Sequence, residues 1–339
     1  MPQVGQPHDR LTERTPGHAR PIVVLRRSPF GEGWASKAQA ILEELGYSVR
    51  AVLDKDFQPS PESILWITSS PNWYPQSLWR LVSVPRSRRP VVLVWQSEPL
   101  PPARSTGLPR PQLNTRELAK IALRDRRATD PYTNSDQLRW LAARGMPDVL
   151  VVSSEDKREF LQERGIEAEV APLGYHPAYG EDLGLERDID VLFLGALEVP
   201  RRKRVFRRLR AAGVNLVALG DWRDPRYWGE SRTSLINRAR MMLNISRNSG
   251  QFSGQRLVLA AANGALGVSE PMARPDPWVP GEHYVSAALD ELPDSIGYYL
   301  EHEDERREIA ARAHAFVTGQ LTLERSVARV LELLEERGG

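Results

Sequence analysis

The sequence predicts an α/β protein of two Rossmann-like domains, each an open parallel sheet, and three observations carry that prediction. Short continuous apolar runs recur at 21–25, 90–95, 148–152 and 190–194, the pattern of strands buried on both faces of a parallel sheet. Segments with apolar residues at helical spacing alternate with them, at 34–45, 154–164 and 201–212 among others, which is the rhythm of βαβ units. The rhythm breaks in the turn-rich stretch from Pro172 to Arg187 and then restarts.

In the first half the expected order is strand 21–25, helix 34–45, and strands 48–53, 64–68 and 90–95, each bounded by Pro, Ser, Asp or Gly. The stretch 98–136 is crowded with Pro, Arg and Ser and reads as a long functional excursion around one helix at 115–123. Strand 148–152, helix 154–164 and strand 167–171 complete the half. The second half reads as strands 190–194, 214–219, 241–245 and 265–269, with helices 201–212, 234–240, 257–262, 292–302, 305–319 and 322–336. The domains expected are therefore a disordered tail at 1–19, an N-terminal domain at 20–177 and a C-terminal domain at 178–339, with the last helix a candidate to pack back on the N-domain. Two such sheets place the expected site in a cleft between the domains, beyond the C-terminal strand ends.

A chain of 339 residues is long enough for two ordinary cores. Its 46 basic and 44 acidic side chains leave a net charge of +2, so the overall balance makes no case for nucleic acid or an anionic membrane. A basic run at 201–210 is the one local exception, and no RNP-type aromatics accompany it. With no cysteine and no ligand-like spacing among six histidines, a protein-held metal is not expected. No apolar run reaches a membrane-spanning length and the N-terminus lacks a signal core, so the expected location is cytoplasmic.

Two constellations point to an anion. The strand ending at Leu194 and Gly195 runs into Pro200, Arg201 and Arg202 at a helix start. Free backbone N–H groups, the helix dipole and guanidinium forks meet there, as a pyrophosphate requires. The strand 241–245 leads into a loop holding Arg247, Gly250, Ser253 and Gly254, and then into Arg256. Its glycines let the backbone approach a ligand, and its arginines bracket the loop with positive charge. In the first half, Gly31, Glu32 and Gly33 sit in the first turn, Glu98 follows a strand end, and Trp73 and Trp95 lie near strand ends where a sugar could stack.

The series Asp190 to Gly195, Pro200 with Arg201, Leu243 to Arg247, Gln255 to Ala265, and Pro280 to His283 resembles the C-terminal domain of GT-B glycosyltransferases. It is most similar to the spore-maturation (CgeB-like) group, related to family four, the large retaining family of sucrose and glycogen synthases. The resemblance covers roughly 188–335, and the N-terminal half shares only the architecture. It implies a GT-B fold and transfer of a sugar from a nucleotide-diphosphate sugar (UDP, GDP or TDP) to a hydroxyl-bearing sugar or small-molecule acceptor. No metal and no cofactor beyond that co-substrate are implied.

On the resemblance, Gly195, Arg201, Arg202, Arg247, Gly250, Ser253, Gly254 and Arg256 bind the donor, and Gly31, Gly33, Trp73 and Trp95 the acceptor. The glutamate that holds the donor ribose in relatives falls on Leu259, and the residue eight before it is Gln251. Either Glu270 supplies that contact or the backbone does. Glu98 and Glu32 are the candidate catalytic bases, since the N-domain offers no histidine between Arg20 and Leu173. Without a base, a retaining route in which the donor phosphate takes the acceptor proton is the default. The missing carboxylates also suit a catalytically degenerate nucleotide- or sugar-binding protein of the same fold.

Overall fold

In the computed structural model the described residues are 20–26, 33–109, 115–123, 131–221 and 224–338. The chain divides into two compact units, and each builds its own parallel sheet.

Unit 1 comprises Met1–Ala103, Arg110–Pro172 and Glu324–Gly339. Its strands are β1 (Ile22–Arg26), β2 (Val49–Leu53), β3 (Ile64–Thr68), β4 (Val91–Gln96), β5 (Val149–Val152) and β6 (Glu169–Val170). They pair in the order β2-β1-β3-β4-β5-β6, all parallel. Helices α1 (Trp34–Glu44), α2 (Pro75–Ser83), α3 (Thr115–Ala122), α4 (Pro131–Ala142) and α5 (Glu155–Gln162) connect them. Val23, Leu65, Val94 and Leu150 meet Leu78, Leu81, Leu138 and Phe160 in one buried cluster. The apolar strand runs of the sequence are thus explained by cover on both faces.

Helices α2 and α4 are absent from the sequence expectation. Each opens on a proline, Pro75 and Pro131, which reads as a breaker but suits the first helical position, where the missing N–H has no partner to lose.

Unit 2 comprises Arg104–Pro109 and Leu173–Leu323. Strands β7 (Ile189–Leu194), β8 (Leu216–Leu219), β9 (Ala239–Asn244), β10 (Leu266–Ser269) and β11 (Val285–Ser286) pair in parallel as β11-β10-β9-β7-β8. Helices α6 (Pro200–Ala211), α7 (Gly229–Asn237), α8 (Gln255–Ala262), α9 (Leu292–Glu301) and α10 (Glu303–Gly319) complete it. Val191, Phe193, Met241, Leu243 and Val268 form a core with Val205, Phe206, Leu209 and Ile296. The order of connection reverses between β7 and β9, so their C-terminal ends flank the crevice where open α/β sheets take ligands.

The last helix, α11 (Leu323–Gly338), belongs to unit 1 from Glu324 onward. It buries Val327, Val330, Leu331 and Leu334, each contributing about 1.5–3 kcal/mol. Ser326 Oγ donates to Pro172 O at 2.6 Å and Arg337 Nη1 to Asp148 O at 3.4 Å. Among the described residues no helix is long and apolar enough to cross a membrane.

Candidate functional site

Three loops meet at the C-terminal edge of the five-stranded sheet. After β7 the chain turns at Gly195, whose φ of +153° favours glycine, and α6 begins with Arg201 and Arg202 in its first turn. After β9 it runs through Ser246 and Arg247 to Gly250, Ser253 and Gly254, and α8 opens with Arg256. After β10 comes Glu270. Because β9 lies between β7 and β10, all three loops leave neighbouring strands.

Glu270 is the electrostatic centre. Only 2% exposed, its carboxylate accepts from Arg201 Nη1 at 2.6 Å, Arg201 Nη2 at 2.5 Å and Ser246 N at 2.8 Å. A fork this well matched meets the condition under which a buried ion pair offsets the loss of hydration. Arg201 Nη1 also donates to Ser246 O at 2.8 Å. The pair therefore staples the helix start after β7 to the loops after β9 and β10.

Arg202 is buried and donates from Nε to Ile245 O at 3.0 Å and from Nη1 to Ala196 O at 2.9 Å. Burial, then the neighbouring Arg256, Arg247 and Arg201, pushes it down to about 9 against the pull of Glu270. Arg256 donates from Nε to Asn244 Oδ1 at 3.1 Å and from Nη2 to Ile245 O at 3.0 Å and Ser253 Oγ at 3.3 Å. Burial pushes it down to about 10, with Tyr227 and Glu270 opposing. Both guanidiniums lie over the Phe193 ring, at 5.1 and 5.3 Å from its centroid, a cation–π arrangement. Four arginines thus crowd together at this edge with Arg201 paired to Glu270, and an incoming anion would relieve their mutual repulsion.

Arg256 Nη1 has no hydrogen-bond partner among the described residues. A Cβ placed on Gly195 would stand 3.4 Å from it. The open donor thus lies against the glycine turn, where backbone can approach a ligand.

The structure gathers Gly195, Arg201, Arg202, Arg256 and Glu270 around one point, with Gly250, Ser253 and Gly254 in the same loop and Arg247 exposed above it. It corrects three roles. Arg202 is a buttress between Ile245 and Ala196, both Nη groups of Arg201 are committed, and Glu270 is closed in by protein donors, which removes it as a ribose ligand. Leu259 is 8% exposed on α8 and belongs to the core. Tyr227 was not singled out in the sequence. It ends the 3-10 turn Pro225–Tyr227 after β8, and its signal is an aromatic following a strand end.

In unit 1, Trp95 is corrected outright. It is 0% exposed, stacks on Trp66 at 5.9 Å, and donates from Nε1 to Ala171 O, so no acceptor reaches it. Trp73 packs half-buried on the core, and Gly33 is the exposed residue before α1. Gly31 and Glu32 lie outside the described residues. Glu98 is half-buried after β4, beside Lys157, whose Nζ donates to Ser97 O and Ser153 Oγ, both at 2.6 Å. Burial lowers the Lys157 pKa, against the pull of Asp156 and Glu98.

Residues 200–332, which hold Arg201, Arg247, Arg256 and Glu270, match the family model described as glycosyl transferase-like. Among solved structures, sucrose-phosphate synthase from Thermosynechococcus elongatus superposes with a TM-score of 0.62 at 10% identity, over 94% of this chain and 98% of that one. The chain has the GT-B fold. Anabaena HepE, solved in complex with UDP and glucose, superposes on this chain with a TM-score of 0.62 at 11% identity, over 93% and 99% of the two chains. The UDP-forming α,α-trehalose-phosphate synthase from Burkholderia vietnamiensis gives 0.58 at 11% identity, over 94% and 100%. No curated protein matches the chain by sequence.

Proposed function

We propose that this protein is a glycosyltransferase that moves a sugar from a nucleotide-diphosphate sugar to a hydroxyl-bearing sugar or small-molecule acceptor, with arginines in place of a metal. The observation that carries the reading is the unpartnered Arg256 Nη1 beside Gly195, within a cluster of four arginines of which Arg201 is paired to Glu270. The HepE complexes with UDP and with UDP-glucose support a nucleotide-sugar donor. The resemblance noted above supports placing the C-terminal half in the spore-maturation branch.

In the reaction the bond from the anomeric carbon to the phosphate oxygen breaks, and its electron pair stays on the departing diphosphate. Arg256 and Arg247 offset that growing charge, while Arg201 and Glu270 hold the loops in place. The acceptor oxygen forms the new bond and its proton goes to the departing phosphate, or to Glu98 acting as base.

Release of free nucleoside diphosphate from UDP-, GDP- and TDP-sugars, followed with and without EDTA across an acceptor panel, tests the reading. Turnover of one donor that persists in EDTA is expected. Absence of turnover with every donor, or its abolition by EDTA, refutes it. Glu98→Gln separates the two proton routes, since only a base at Glu98 makes that substitution costly.

A further inference from the structure

The five-stranded sheet carries a second arginine cluster at its opposite edge. A cavity of about 930 Å³ opens there, lined by Arg187, Arg240, Gly264, Glu303, Arg306 and Arg307 among other residues. Arg187 precedes β7, Arg240 is the second residue of β9, and Gly264 lies just before β10, so the cavity sits at the N-terminal strand ends. The donor loops leave the C-terminal ends of the same strands. A six-residue strand separates the two edges by roughly 20 Å.

Its floor is built rather than incidental. Arg187 donates from Nη1 to Ala239 O at 2.6 Å and from Nη2 to Asn263 O at 3.0 Å, which ties β9 to the end of α8. Gly264 has φ +67°, and a Cβ on it would stand 2.4 Å from Asp182 Oδ2, so that wall is closed. The other wall is one face of α10, where Glu303, Arg306, Arg307, Ala310 and His314 follow helical spacing.

The cluster has more donors than acceptors. Glu303 Oε1 alone serves two guanidiniums, Arg307 Nη2 at 2.6 Å and Arg306 Nη2 at 3.4 Å. Arg240 has a single partner, Asp190 Oδ1 at 2.6 Å from its Nη1. Among the described residues this leaves Nε and Nη2 of Arg240, and Nε and Nη1 of Arg307, without partners. Asp182 is occupied by Arg187 and by Gly184 N, and Glu186 stands exposed at the rim. Burial lowers the Arg306 pKa, and the nearby Arg240, Arg307 and Arg187 lower it further, the mark of cations crowded together.

We propose that this cavity binds a small phosphate-bearing metabolite at a site separate from the donor. The volume is that of an ordinary small-molecule pocket, and open guanidinium donors from two elements fit a phosphate's fork of oxygens. Helix α8 joins the two sites, with Arg256 in its first turn and the Asn263–Gly264 turn at its far end, about 12 Å along the axis.

Calorimetric titration of the full chain with inorganic pyrophosphate tests this, with Arg256→Ala used to disable the donor fork. The Arg256→Ala protein is expected to retain pyrophosphate binding. Adding Arg240→Gln and Arg307→Gln should weaken it about a hundredfold, at about tenfold per fork. Those side chains are 39% and 75% exposed, so the fold survives their loss, which circular dichroism checks. Arg210→Gln, exposed on α6, should change nothing. Loss of all pyrophosphate binding in Arg256→Ala, or binding indifferent to the double substitution, overturns the site. Citrate binding as tightly as pyrophosphate overturns the phosphate assignment.

Discussion

Arg201 and Glu270 face each other as a two-pronged ion pair, Nη1 to Oε1 at 2.6 Å and Nη2 to Oε2 at 2.5 Å, although 69 residues separate them in sequence. Glu270→Gln keeps the shape and removes the charge, leaving Arg201 facing a neutral amide. A stability loss of about 3 kcal/mol is expected from urea unfolding, the lower end for a broken buried pair because Arg201 keeps some water. A loss under 1 kcal/mol would show that the loops are held by other means.

Arg256→Ala separates binding from folding. Its hydrogen bonds to Asn244, Ile245 and Ser253 come from a charged donor and are each worth about 1.5 kcal/mol at their observed lengths. Loss of the open Nη1 fork should weaken nucleoside diphosphate binding tenfold or more, roughly the worth of one charge-assisted contact. Calorimetry with UDP, GDP and TDP reads the first effect and urea the second. Unchanged affinity would remove Arg256 from the donor site.

Gly250 is constrained twice. Its φ is +71°, and a Cβ there would stand 2.4 Å from Leu108 Cδ2, in the Arg104–Pro109 segment that belongs to unit 2. Gly250→Ala should cost about 1–2 kcal/mol for the left-handed backbone plus the displacement of Leu108. In the Leu108→Ala background the second part vanishes, so the glycine substitution should cost less there. Equal costs in both backgrounds would mean that Leu108 does not press on the loop.

Tyr284 is 0% exposed, and its hydroxyl has no partner among the described residues. Burial pushes its pKa up from 10.0 to about 12. Between those values the unfolded chain loses a proton that the folded chain keeps, so this residue's share of stability falls as pH rises from 10 to 12. The slope is about 1.4 kcal/mol per pH unit. Tyr284→Phe should be neutral or stabilising near pH 7 and should flatten the alkaline decline in a urea-midpoint series. A decline as steep in the variant as in the parent would assign it to other groups.

The strands were plain in the sequence because burial on both faces writes itself as an unbroken apolar run, as in Val91–Gln96 and Ile189–Leu194. That same two-sided burial hid the fate of Trp95. Alternation cannot tell inward from outward on such a strand, and an aromatic near its end looked available to a sugar. The arginines were visible through their place after strand ends, but pairing was not. Nothing local shows that Arg201 would be spent on Glu270, or that Arg202 would turn inward to Ile245 O. Leu259 stands where relatives carry a glutamate, and its packing in α8 makes it a core position. Helices opening on Pro75 and Pro131 were lost because the residue that begins them also ends others.

The return of α11 to unit 1 decides where this gene can be cut. A fragment ending at Pro172 would lack the helix in which Val327, Val330 and Leu334 are buried, and would carry Pro172 O without Ser326. A split version of the protein therefore needs three pieces of coding sequence rather than two, with the last sixteen residues or so fused to the first fragment.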